Sequence, residues 1–112
     1  MTLGDLLKFA RYHLEGLRGH ATLMSQKNFN ILHMPAEEGP GVNKYACGWV
    51  IDDSTTKQTF HGHNGSDGTF WAEIAIWPSQ NLAAVAISNA ANKQSQSPPL
   101  QAVLAVYNRY AK

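Results

Sequence analysis

Only four residues, Pro78-Ser-Gln-Asn81, separate two runs that read as strands, Phe70 to Trp77 and Leu82 to Ser88. A parallel crossover needs about a dozen residues or more, so strands this close must pair antiparallel. Two more runs precede them. Tyr45 to Ile51 is aromatic and β-branched and ends in the turn-forming Asp52-Asp53-Ser54, and Gln58 to His63 follows after a short gap. The expected centre of the fold is therefore a four-stranded antiparallel meander. Leu82 to Ser88 is apolar on both faces, the pattern of a central strand covered on both sides.

Helical patterns flank this meander. Thr2-Leu-Gly-Asp5 fits a capping box, in which hydroxyl and carboxylate satisfy the first free amides of a helix. Leu3, Leu6, Leu7, Ala10, Leu14 and Leu17 then recur at helical spacing, with charged residues opposite, which predicts a helix from Leu3 to Leu17. Gly16 and Gly19 supply the stop. Ser25 to His33 reads as a short second helix, capped by Ser25 and ended before Pro35. Pro35 to Gly41 and Asn89 to Ser97 are loops by composition. Ser97-Pro-Pro99 opens a last helix with Leu100, Val103, Leu104, Tyr107 and Ala111 on its apolar face. The expectation is one α+β domain over residues 1–112, a four-stranded antiparallel sheet flanked by N- and C-terminal helices.

With 44 % hydrophobic and 15 % charged residues in 112, the chain has the means to bury a core. A formal charge of +1 with scattered Lys and Arg points away from nucleic acid or an anionic membrane as partner. No segment approaches the roughly 20 apolar residues of a membrane span. The N-terminus lacks the basic-then-apolar order of a secretory signal, and a helix starts almost at Met1. That order suits either a cytoplasmic protein or a chain that begins partway through a longer ancestral one. Cys47 is the one cysteine, so neither an intrachain disulfide nor a thiolate cluster can form, and its apolar surroundings predict a small buried side chain.

Chemistry concentrates between Phe60 and Phe70, where Phe-His-Gly-His-Asn-Gly-Ser-Asp-Gly-Thr-Phe holds three glycines and two histidines. Such glycines let a backbone turn sharply or let a ligand lie against the main chain. One reading is a glycine-rich hairpin with solvated histidines. Another is a metal site, since His61 and His63 alternate onto one strand face and Asp67 or Glu73 completes a shell. His13, His20 and His33 belong to or adjoin the helices and stand outside that set. No motif calls for an organic cofactor.

A third reading rests on order along the chain. Tyr45-Ala-Cys-Gly-Trp49, then His63-Asn-Gly65 with Gly68 and Phe70, then Asn81 through Ser88-Asn89 occur in a sequence that resembles the C-terminal portion of the serine β-lactamase and penicillin-binding-protein superfamily. The likeness is to its class C-like branch, with the D-aminopeptidases and family VIII-type esterases. The Leu3 to Ala10 helix and the Ser25 to Pro35 segment extend the likeness across nearly the whole chain, which would match only the last third of a family member. The resemblance implies part of a β-lactamase/transpeptidase-like fold. It also implies that His63 is the polar group of the third motif facing the substrate's carboxylate or carbonyl. Gly65 would be the glycine that lets substrate approach the strand, with Asn64 between them. The Ser66 amide would be an oxyanion-hole donor. Thr69, inserted between Gly68 and Phe70, departs from the family pattern.

The same resemblance exposes what is missing. Members carry a nucleophilic Ser-x-x-Lys opening a buried helix and a Tyr-x-Asn or Ser-x-Asn element on a helical lobe. Ser54-Thr-Thr-Lys57 matches the first only as a string, in an expected hairpin turn, and no tyrosine begins the second. The expected function is a truncated hydrolase fragment, inactive alone, whose natural partner is a missing N-terminal portion. Two rivals remain open: a non-catalytic homo-oligomer or small-molecule-binding module, and a metal protein using His61 and His63. The homo-oligomer draws on Trp71, Glu73, Ala75 and Trp77, which share one strand face expected to be partly uncovered.

Overall fold

The computed structural model describes residues 1–35, 44–90 and 98–112. Most of the two expected loops, Pro35 to Gly41 and Asn89 to Ser97, lies outside the described residues. The element order is α1 (Leu3–Leu17), α2 (Gln26–Leu32), β1 (Lys44–Ala46), β2 (Trp49–Asp52), β3 (Phe60–Ser66), β4 (Trp71–Trp77), a 3₁₀ turn (Pro78–Gln80), β5 (Leu82–Ser88) and α3 (Pro98–Tyr110). The fold is α+β with one antiparallel sheet in the order β1-β2-β3-β4-β5. It has five strands, where the sequence predicts four.

The extra strand comes from a reversal inside the Tyr45 to Ile51 run. Ala46 faces Trp49 across a two-residue turn. Cys47 and Gly48 both take positive φ, +47° and +93°. That is the type I′ geometry whose twist matches the flanking strands. Cys47 is consequently exposed at the tip and not buried as expected. β3 is longer than predicted as well. His63, Asn64, Gly65 and Ser66 continue the ladder against Ile74, Glu73, Ala72 and Trp71. The histidine-rich segment is thus mostly strand, and only residues 67–70 turn.

Helices cover both faces of the sheet. On one face Ala10 and Leu14 of α1 pack with Trp49, Ile74 and Ile76. On the other, Val103 and Tyr107 of α3 pack with Ala75, Trp77 and Ala84. This double cover explains why β5 is apolar on both faces although it is the sheet's edge strand and not the expected central one. The tryptophan face is likewise roofed by α3. Trp77 is fully buried, stacked on Tyr107 with ring centroids 4.9 Å apart, and its indole N–H donates to Thr56. Trp71, at the opposite end of β4, is half-buried.

The caps of α1 are built as its sequence suggests. Thr2 Oγ1 accepts from the Asp5 amide and Asp5 Oδ2 accepts from the Thr2 amide, each at 3.1 Å. At the other end the His20 amide reaches the Glu15 carbonyl and the Gly19 amide the Gly16 carbonyl, a Schellman closure with Gly19 at φ +92°. Gly19 alone makes the stop. Gly16 is a buried helical residue that lies against the ring of Phe29, the buried anchor of α2. The buried stripe of α1 also differs from the expected one. Leu3 and Leu7 are 52 % and 48 % exposed, while His13 is buried between Ala10 and Leu17. Among the described residues no helix is long and apolar enough to cross a membrane.

Candidate functional site

Strand β3 has two unlike ends. The β2–β3 ladder runs from Asp52↔Phe60 through Ile51↔His61 to Val50↔Gly62 and stops there, because β2 begins at Trp49 after the tight turn. From His63 to Ser66, β3 pairs with β4 alone among the described residues. Its outer edge there is open. His63, Asn64, Gly65 and Ser66 are all exposed. A Cβ added at Gly65 would meet nothing within 4 Å, so bare backbone faces free space. Two hollows, of about 160 and 180 Å³, flank this end of the strand, and both are lined by His63, Asn64 and Glu73.

Glu73 is the buried carboxylate of this region. It sits opposite Asn64 in the ladder and accepts the Trp71 indole N–H at 2.9 Å. Desolvation pushes its carboxyl above the usual range, and the indole hydrogen bond opposes that rise. Beyond Ser66 the chain reverses around Asp67. One oxygen of its exposed carboxylate accepts the amides of Thr69 and Phe70 and the Thr69 hydroxyl, which holds the carboxyl well below its ordinary value. Gly68, at φ +97°, makes the reversal possible, and the Thr69 hydroxyl donates to Asp67. Ser66 Oγ donates to the Phe70 carbonyl and accepts from the Gly68 amide.

The structure therefore keeps His63, Asn64, Gly65 and Ser66 together on one open edge and separates the proposed metal set. His61 and His63 do share a face. His61 is half-buried against His33, however, and His63 is exposed beside Tyr45, with ring centroids 6.3 Å apart. Asp67 is committed to its own turn. Among the described residues no three His, Cys, Asp or Glu side chains are grouped to hold a metal ion. Ser54 is exposed in a turn, its hydroxyl 3.1 Å from Asp52 Oδ1, to which it donates. Asp52 also accepts the amides of Ser54 and Thr55 and the Thr55 hydroxyl, which lowers its carboxyl despite opposing desolvation. The carboxylate that Ser54 meets is thus a weakened base, and no hydrogen bond joins Ser54 to Lys57 among the described residues.

A second constellation was not foreseen. His13 of α1, His33 at the C-cap of α2 and His61 of β3 form a chain of direct contacts. His13 Nδ1 lies 2.8 Å from His33 Nε2, and His33 Nδ1 lies 3.0 Å from His61 Nδ1. Aromatic rings wall it in: His13 lies 4.6 Å from Phe9 and 4.8 Å from Trp49 by ring centroids, and Phe29 and Trp49 flank His33. Tyr12 stands edge-on to His13 with a buried hydroxyl that has no hydrogen-bond partner among the described residues. Desolvation lowers all three imidazoles. His61 falls to about 4, and His33, where repulsion from His61 and His13 adds, falls to about 3. All three rings therefore resist protonation. The sequence did hold one signal for it: His13 occupies a core position in the apolar stripe of α1.

No protein-family model matches this sequence, and no curated protein matches it.

Proposed function

We propose that this chain is the substrate-side segment of a serine β-lactamase-like hydrolase, inactive alone. The observation that carries this reading is the open edge of β3 from His63 to Ser66. A strand edge with an exposed imidazole, a glycine that leaves the backbone bare and main-chain groups with no strand partner among the described residues suits an acyl substrate laid alongside it. His63 would face the substrate's carboxylate or carbonyl, Gly65 would permit close approach, and the Ser66 amide would donate to the acyl oxygen. The bond-making serine and lysine would come from sequence N-terminal to this segment, since Ser54 and Lys57 sit in an exposed turn.

Titration of the isotope-labelled chain with benzylpenicillin, read by amide chemical shifts, tests this. The expected shifts fall on residues 63–66 and their partners 71–74, they vanish in Gly65→Val, and no product forms. Silence at those amides, or shifts centred elsewhere, refutes the reading. So does nitrocefin turnover that disappears in Ser54→Ala.

A second reading, a non-catalytic homo-oligomer, has one observation in its favour. Leu3, Leu7 and Phe9 of α1 are about half exposed, an apolar surface that association would cover. Light scattering that reports a monomer at micromolar concentration disposes of it.

A further inference from the structure

We propose that the His13–His33–His61 chain is an acid-operated latch, which pins the end of α2 to the sheet while it holds at most one extra proton and lets go on taking a second. The geometry sets that limit. Each N···N contact, at 2.8 and 3.0 Å, needs one N–H and one lone pair. A neutral imidazole carries one of each. In the neutral chain the two inner contacts hold one hydrogen apiece, and one of the two outward nitrogens, on His13 or on His61, carries the third. One added proton fills the other outward nitrogen and leaves both contacts intact. A further proton must set N–H against N–H at one contact. Both contacts belong to His33, so that ring is expelled.

Among the described residues the surroundings give the protonated chain no counter-charge. From α1 the facing groups are His13 and Tyr12, from β2 Trp49, and from β4 Ile76 opposite His61. Lys57, a cation, shares with His61 a cavity of about 350 Å³ beside Pro78 and Ser79. The six acidic side chains among the described residues are all engaged elsewhere. Asp5 serves its cap and Glu15 pairs with Arg11, Asp52 and Asp67 hold their own turns, Asp53 meets Lys44, and Glu73 takes the Trp71 N–H. The depressed basicity of all three rings agrees with this placement.

α2 has few other attachments to the sheet. Phe29 and Gln26 tie it to α1, against Gly16 and through the Gly16 carbonyl at 2.8 Å. Its link to β3 is His33, through His61 and beside Trp49. Losing that link frees the end of α2 while β4, β5 and α3 keep their own core.

Hydrogen–deuterium exchange of the full chain at about pH 7.5 and about pH 5, corrected for intrinsic rates, reads the latch directly, since each proton taken up on opening shifts the equilibrium about tenfold per pH unit. Protection over residues 26–33 should fall at least about tenfold at the lower pH while residues 71–77 and 103–107 change little. His33→Phe keeps a ring beside Phe29 and Trp49 but removes both contacts, so its α2 exchange should be fast at both pH values. Should that variant fail to fold, His61→Asn, at the half-buried end, serves instead. Unchanged protection of 26–33 at pH 5 overturns the proposal, as does an undiminished acid response in the folded variant. Three histidines that titrate independently near their ordinary 6.5 with α2 still protected overturn it as well.

Discussion

Replacing Gly16 with alanine should destabilise the protein, although helix propensity alone argues the opposite. In an exposed helix interior alanine is better than glycine by about 1 kcal/mol. Gly16, however, is buried in α1, and a Cβ built there falls well inside 3.0 Å of three ring atoms of Phe29. Phe29 is itself fully buried, among Tyr12, His13 and His33, so its ring has nowhere to retreat. Overpacking of this kind costs about 1–3 kcal/mol, and full ejection of the ring is bounded by the about 3–5 kcal/mol of a Phe→Ala change. Against the propensity gain, a net loss of about 2 kcal/mol follows, or about 8 °C in Tm for a chain of this size. Urea denaturation in two backgrounds isolates the cause. In wild type Gly16→Ala should lower stability, whereas in Phe29→Ala, where the clash is gone, it should raise stability by about 1 kcal/mol. The same sign in both backgrounds would refute the packing argument.

Acid should act on the imidazole chain with a defined sign. His33 and His61 are held below 6.5 in the folded state, so the unfolded chain binds protons that the native one refuses. Their contribution is whole above about pH 6.5 and is lost as pH falls from there toward 4, reaching about 2 kcal/mol at pH 5 after halving the linkage value for solvent screening, which urea midpoints measured across pH 5–8 will show. Trp77→Ala should cost about 3–5 kcal/mol by calorimetry or urea, since it empties a fully buried site under α3; a loss below 1 kcal/mol would mean that α3 does not seal that face. Cys47→Asn should be neutral or stabilising by about 0.5 kcal/mol, because asparagine tolerates the +47° φ of this turn better; clear destabilisation would argue against the two-residue hairpin.

What could be read from the chain beforehand was what depends on local chemistry. The bounds of α1 follow from Thr2, Asp5 and Gly19, and α2 from Ser25 and Pro35, because caps act within a few residues of the atoms they satisfy. β4 and β5 were legible from their length and their short link. The Cys47-Gly48 reversal was not, since it interrupts an apolar run with neither asparagine nor aspartate to announce it. The edge position of β5 was misread because helices on both faces give an edge strand the composition of a central one. The imidazole chain lay further out of reach. Its members are 20 and 28 residues apart on separate elements, and only the finished packing of α1, α2 and β3 brings them together.

His61 and His63 show how one turn divides a strand between two tasks. They are two residues apart, on the same face of β3, and nothing in their immediate sequence tells them apart. What separates them is where β2 begins. The type I′ turn at Cys47-Gly48 fixes Trp49 as the first residue of β2, and the ladder to β3 closes at Gly62. On the paired side of that limit, His61 meets His33 and through it His13, both beside Trp49, and desolvation lowers the basicity of its ring. On the other side, His63 is exposed, on an edge that meets no further strand among the described residues. Lengthening the turn by one residue would slip the edge strand β1 against β2 and turn Tyr45 away from His63, while the pairing of β2 with β3 keeps Trp49 in place. The open edge and the buried chain therefore lie on either side of one limit, the residue at which the β2–β3 ladder closes.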